Sequence, residues 1–255
     1  MDFSFSWDML LLFFAAACLA GFIDSIAGGG GLIGIPVLLL SGLPPINALA
    51  TNKVQGMAGS FTASMTMIRK GVVKLDKIWF AALMSFIGAT IGTICVHFIN
   101  VSVLDILIPI VLIMIGLYFL LVPSVGEIEK KPRMEEKLFN TTVVPGIGFY
   151  DGIFGPGTGS FFSLSNIALR GQQIVTATGN AKVFNFASNI AAVLVFVFSG
   201  KVVWLVGAVM ICGQILGAYL GSLMVIKNGS KLIRPLVVIM CFLMVARYMY
   251  SKFWL

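Results

Sequence analysis

Apolar residues run through this chain in blocks, separated by short polar or glycine-rich breaks. Five blocks precede a charged stretch, at about residues 8–27, 31–41, 47–68, 77–98 and 102–122. Five follow it, at about 138–154, 158–169, 174–198, 202–226 and 232–250. Most approach the length at which a helix rising ~1.5 Å per residue crosses a hydrocarbon core ~30 Å thick. The second block of each set reaches only roughly 18 Å as a helix, too short to cross. The pattern predicts an all-α integral membrane protein. Each set of five contains one half-length helix, entered through a glycine-rich break.

Composition narrows this further. Of 255 residues, 59% are hydrophobic and 11% charged, against about 25% charged in a soluble domain. So many apolar blocks leave too little polar surface for a soluble core, which points to a multi-pass protein of the cytoplasmic membrane. The N-terminus carries Asp2 and Asp8, and the first base is Lys53, which does not suit a secretory signal. Cys18, Cys95, Cys212 and Cys241 stand singly in apolar blocks with no C-x-x-C spacing, so neither a disulfide framework nor a metal is expected. No cofactor is implied. The net charge of +7 is distributed over loops, which suits the positive-inside rule better than nucleic-acid binding.

The motifs occur twice. Gly21-Phe22-Ile23-Asp24-Ser25-Ile26 returns as Gly148-Phe149-Tyr150-Asp151-Gly152-Ile153. The glycine run Gly28 to Gly31 returns as Gly155-Pro156-Gly157-Thr158-Gly159, and Thr51-Asn52-Lys53-Val54 as Asn180-Ala181-Lys182-Val183. Gly88 and Gly92 return as Gly217 and Gly221. This order at nearly constant spacing indicates duplication. The expected organisation is a first transmembrane repeat, 1–122, a charged cytoplasmic linker, 123–137, and a second repeat, 138–255. If all five segments change sides, the odd number inverts the second repeat, and an external N-terminus then places most loop lysines and arginines inside. If the broken pair counts as one crossing the repeats are parallel, and the base-free first 52 residues favour inversion.

The glycine runs admit three readings. Gly29, Gly31 and Gly34 satisfy G-x-G-x-x-G, but a dinucleotide site also needs a preceding strand and an acid about 20 residues on. The nearest later acid is Asp76. Close helix packing is the second reading, and it fits Gly88, Gly92, Gly213, Gly217 and Gly221 best. On that reading Gly92 and Gly221 should accept Ala and reject Leu. The third reading is a helix break whose free N–H groups and dipole form an anion site. It suits Gly28 to Gly31 and Gly155 to Thr158, because irregular backbone at membrane depth is tolerated where it lines a cavity.

Ionisable residues accompany both breaks. Asp24, Lys53, Asp151 and Lys182 recur in matched positions, and a charge at mid-membrane costs at least about 2.5–3.5 kcal/mol. They either serve a pathway or pair with one another to hold the bundle. Asn52, Gln55, Asn180, Asn185 and Asn189 stand around the lysines at helical spacings. Asp105 has no counterpart in the second set, and His97 lies close to a loop.

These motifs resemble the TauE/SafE family of sulfite exporters and related anion transporters. The resemblance is carried by GFIDSIAGGGGLIGIP, GFYDGIFGPGTGSF and the Asn-Lys-Val and Ala-Lys-Val segments that follow. It implies a secondary transporter, not an enzyme, that exports small sulfur-containing anions such as sulfite or organosulfonates. The expected substrate-binding set is Gly28, Gly29, Gly30, Gly31, Asn52, Lys53, Gln55, Gly155, Gly157, Thr158, Ser160, Asn180, Lys182 and Asn185. Asp24 and Asp151 are the candidates for carrying a coupling proton. A passive anion channel, or a carrier of another small carboxylate or oxyanion, is the alternative. The expected partners are the anion and membrane lipid, with no nucleic acid. The glycine faces leave open whether some pack between copies of a homo-oligomer.

Overall fold

The computed structural model describes residues 5–96, 98, 113, 117 and 126–254. Apart from residues 113 and 117, the block 102–122 lies outside the described residues, as do His97 and Asp105.

Ser6 caps α1 (Trp7–Ala27) by accepting the Met9 N–H at 3.4 Å. The half-length helix α2 (Gly31–Leu40) follows, then α3 (Pro45–Arg69) and α4 (Leu75–Cys95). The second set opens with a short turn, Glu136–Leu138, and a π-helical stretch, Phe139–Val143, which lead into α5 (Val144–Ile153). Then come the short α6 (Thr158–Arg170), α7 (Ile174–Phe198), α8 (Trp204–Asn228) and α9 (Ser230–Trp254). The described apolar blocks and the helices end within a few residues of one another. Among the described residues α1, α4, α7 and α8 are long and apolar enough to cross a membrane. Large apolar side chains, including Leu11, Leu19, Leu83, Ile91 and Leu220, stay exposed on outer faces, as a lipid-facing surface requires.

Helices from the two sets interleave. α1 and α3 pack on α8, α5 and α7 pack on α4, and α3 and α7 pack on each other. The α1–α8 and α4–α5 contacts are backbone to backbone. A Cβ on Gly221 would stand 2.5 Å from the Phe22 carbonyl oxygen, and one on Gly217 would collide with the Cys18 carbonyl oxygen. Gly88 meets the carbonyl of Pro145 and Gly92 that of Phe149 in the same way. In a bilayer this approach, rather than a hydrophobic driving force, holds helices together. It also corrects the expectation for Gly92 and Gly221. The obstacle is a neighbouring main chain that cannot rotate away, so even Ala does not fit.

The charged stretch is docked rather than free. Lys130 donates its N–H to the Gly171 carbonyl at 2.8 Å, and Arg133 donates to Leu169 at 2.8 Å. Arg234 reaches Glu127 at 2.9 Å. Residues 126–134 therefore lie along the α6–α7 turn.

Candidate functional site

Both breaks depend on glycine. α1 ends at Gly28, whose φ of 71° is a left-handed conformation that only glycine enters without steric cost. In the second break Gly155 and Gly157 take φ of 99° and 83°. The breaks touch. A Cβ on Gly28 would lie 2.5 Å from the Gly159 Cα. Ser160 of α6 donates its hydroxyl to the carbonyl of Ala27, the last residue of α1. The carbonyl left free where α1 stops is thus satisfied by the other break.

The four intramembrane charges pair across the sets. Lys53 Nζ of α3 lies 2.7 Å from Asp151 Oδ1 of α5, with both side chains 2% exposed. Lys182 Nζ of α7 lies 2.9 Å from Asp24 Oδ2 of α1, and it also donates to the Asp24 carbonyl. The two pairs are not equivalent. Asp151 Oδ1 also accepts the Thr158 hydroxyl at 2.9 Å, while Oδ2 accepts Asn185 Nδ2 at 3.2 Å and the Ser188 hydroxyl. Asp24 Oδ1 accepts the Gly30 N–H at 3.1 Å, and its side chain is 14% exposed.

These bonds give the two breaks a shared form. Gly30 is the cap of α2 and Thr158 the first residue of α6. Each half-helix therefore starts with a donor on a carboxylate of the protein itself, and a lysine neutralises that carboxylate.

Between the pairs lies a cavity with about 30 Å³ of free space, enough for two or three waters on a scale of roughly 10–15 Å³ each. Of the expected set, Gly28, Gly30, Gly31, Asn52, Lys53, Gln55, Gly155, Thr158 and Asn185 line it, together with Asp24 and Asp151. The rest stand apart from it. Gly29 faces the tip of Met240, Gly157 caps α6, and Ser160 is bonded to Ala27. Lys182 sits behind Asp24. Asn180 lies further towards the start of α7 and donates to Gln172 Oε1 at 2.9 Å.

Four lining residues stand outside the expected set: Gly56, Gly159, Asn189 and Gln214. Gln214 carries a signal of its own, a lone amide inside an apolar block. Its Oε1 and that of Gln55 are buried and accept no hydrogen bond among the described residues. Buried acceptors call for donors, and rotating either amide would present an –NH2 instead. The cavity wall can therefore meet donor or acceptor groups on a small guest. Among the described residues no three His, Cys, Asp or Glu side chains cluster to hold a metal.

Apolar spans, paired intramembrane charges and helix breaks that meet at mid-bundle define a multi-pass membrane protein of transporter type. The family model for sulfite exporter TauE/SafE matches residues 13–248, and the chain belongs to that family. A probable membrane transporter protein of Haemophilus influenzae is 47% identical over 247 residues, covering 97% of both chains. The probable membrane transporter protein YfcA of Escherichia coli is 46% identical over 244 residues, covering 96% of this chain and 91% of its own. A Sinorhizobium protein, also named a probable membrane transporter, is 47% identical over 234 residues, covering 92% of this chain and 90% of its own. No solved structure matches the chain. The chain is a multi-pass protein of the cell membrane.

Proposed function

We propose that this chain is a secondary transporter that exports small sulfur-containing anions such as sulfite or organosulfonates, held between the two glycine breaks. The observation that carries the reading is that each half-helix already begins on a lysine-paired carboxylate. A site built to hold R–COO⁻ against N–H, O–H and ammonium donors presents the same donors to R–SO3⁻ once its own carboxylate moves aside. With about 30 Å³ free, that movement is required before a four-atom anion fits. Exchanging the two helix sets leaves the pattern of packed pairs unchanged, which supports two repeats. We take them as inverted.

Charge balance suggests the coupling. Lys53, Lys182, Asp24 and Asp151 sum to zero, and a bare anion entering a neutral buried site is strongly disfavoured. A proton on one aspartate gives the site the charge that matches a monoanion. Asp151 is held on both oxygens by Lys53, Thr158, Asn185 and Ser188. Asp24, partly exposed and held by the Gly30 N–H and the Lys182 ammonium, is the carrier. Protonated, it releases Lys182. The charged groups around it are Lys182 at its side and the Lys53–Asp151 pair across the cavity.

Flux measurements in proteoliposomes test this reading, using sulfite, an alkanesulfonate, sulfate and acetate with and without a pH gradient. The expected result is sulfite and alkanesulfonate flux that follows the gradient. Flux indifferent to the gradient would make the protein a passive channel. Acetate flux without sulfonate flux would assign a different cargo.

A further inference from the structure

A second, larger cavity of about 390 Å³ opens where the loop after α3, the start of α7 and the stretch 126–140 meet. It shares no lining residue with the inner cavity. Lys74, Lys77 and Glu129 line it and make no ion pair among the described residues, while Arg170 is held by Glu136 at 3.2 Å, so the lining carries one more base than acid. Buried amides Asn140, Asn166 and Asn180 face it as well. Its volume is within the range of small-molecule sites, roughly 300–1,000 Å³.

Two side-chain rows connect this vestibule to the inner site. On α6, Thr158, Phe162, Asn166 and Arg170 follow at four-residue steps, and so do Ser188, Phe184, Asn180 and Thr176 on α7. Four-residue steps keep side chains on one helix face. Each row begins with a hydroxyl on Asp151, Thr158 or Ser188. Each ends on residues that line the vestibule. Midway, the two phenylalanines meet edge-on with centroids 5.5 Å apart, and they are 0% and 2% exposed. At the other end of the bundle Phe13, Leu38, Leu43, Val206 and Met210 close into an apolar cluster.

We infer that the vestibule is an outer loading station for the anion and that the Phe162–Phe184 pair is the gate between it and the inner site. The inference rests on the transport reading above, but its geometry is testable without a transported substrate. The unpaired lysines draw the anion in, and the amides replace part of its hydration. The aromatic pair then keeps water and ions from the Lys53–Asp151 pair until the two helices part.

The test is cysteine accessibility in the full chain, with Cys18, Cys95, Cys212 and Cys241 replaced by Ala. Asn180→Cys should react with membrane-impermeant methanethiosulfonates, about tenfold faster with an anionic than with a cationic reagent. Adding Lys74→Gln and Lys77→Gln should remove that preference. Ser188→Cys should stay unlabelled with both phenylalanines present. It should become labelled when either Phe162→Ala or Phe184→Ala is added, with folding checked by monodispersity in detergent. An unreactive Asn180→Cys, or one that reacts equally with both reagents, overturns the loading station. Labelling of Ser188→Cys with both rings in place, or its silence in a folded Phe→Ala variant, overturns the gate. Absence of sulfite flux alongside the expected labelling would count against the cargo and leave the gate standing.

Discussion

The Cα of Gly159 stands where a side chain on Gly28 would begin. A Cβ built on Gly28 falls 2.5 Å from it, and one on Gly159 falls 2.6 Å from the Gly28 Cα. Two helix breaks can cross at this distance only if neither carries a side chain at the crossing.

Gly28→Ala and Gly159→Ala should therefore prevent folding. Gly28 adds its positive φ to the collision, a strain that alone exceeds about 1 kcal/mol for Ala. Gly29→Ala is the control, because its Cβ meets the flexible tip of Met240 at 3.0 Å. Yield of monodisperse protein in detergent should separate the first two variants from the third. Normal yield of Gly28→Ala would show that the breaks do not cross there.

The two lysines should differ. Lys53→Met leaves Asp151 charged and 2% exposed, and breaking a buried pair costs about 3–5 kcal/mol. Lys182→Met leaves Asp24 with partial exposure and the Gly30 N–H, so that variant should fold and lose anion binding. Pairing Lys53→Met with Asp151→Asn should recover much of the stability lost. Thermal unfolding in detergent is the measurement. Equal melting temperatures for Lys53→Met and Lys182→Met would refute the asymmetry.

Asp24→Asn should bind an alkanesulfonate more tightly than the parent, because the neutral side chain leaves the Lys182 ammonium for the anion. Asp151→Asn should gain less, since it strands Lys53 in a buried site. Calorimetric titration is the measurement, and tighter binding by Asp151→Asn than by Asp24→Asn would transfer the role to the other carboxylate.

Along α8, Gly217→Ala should abolish expression while Gly207→Ala should be silent. The first Cβ would meet the Cys18 carbonyl, whereas the second has Val54 Cγ1 as its nearest neighbour at 3.5 Å. Similar yields of the two variants would mean that α1 and α8 do not touch through this glycine row.

Most helices were legible because lipid makes block length and helix length the same constraint. The breaks were legible because glycine runs have few other uses in a span. The pairing of charges was not. Nothing local says that Lys53 reaches Asp151 rather than Asp24, since the choice is made by how α3 packs against α7 and α5 against α4. Asn180 could have been placed from its number. It lies two positions from Lys182, about 200° around a helix, so the two cannot face one cavity. Gln214 was missed because it belongs to no motif. The π-helical stretch Phe139–Val143 leaves no mark in an apolar block.

The crossed pairing also orders the making of the protein. A ribosome delivers Asp24 and Lys53 to the membrane long before Asp151 and Lys182 exist, and neither early residue is the other's partner. Each then bears the cost of a lone charge in lipid, at least about 2.5–3.5 kcal/mol, until the later helices arrive. A chain stalled before α5 would hold two charges without the partners that the complete fold gives them. The crossed pairs therefore tie the relief of each early charge to the arrival of a late helix.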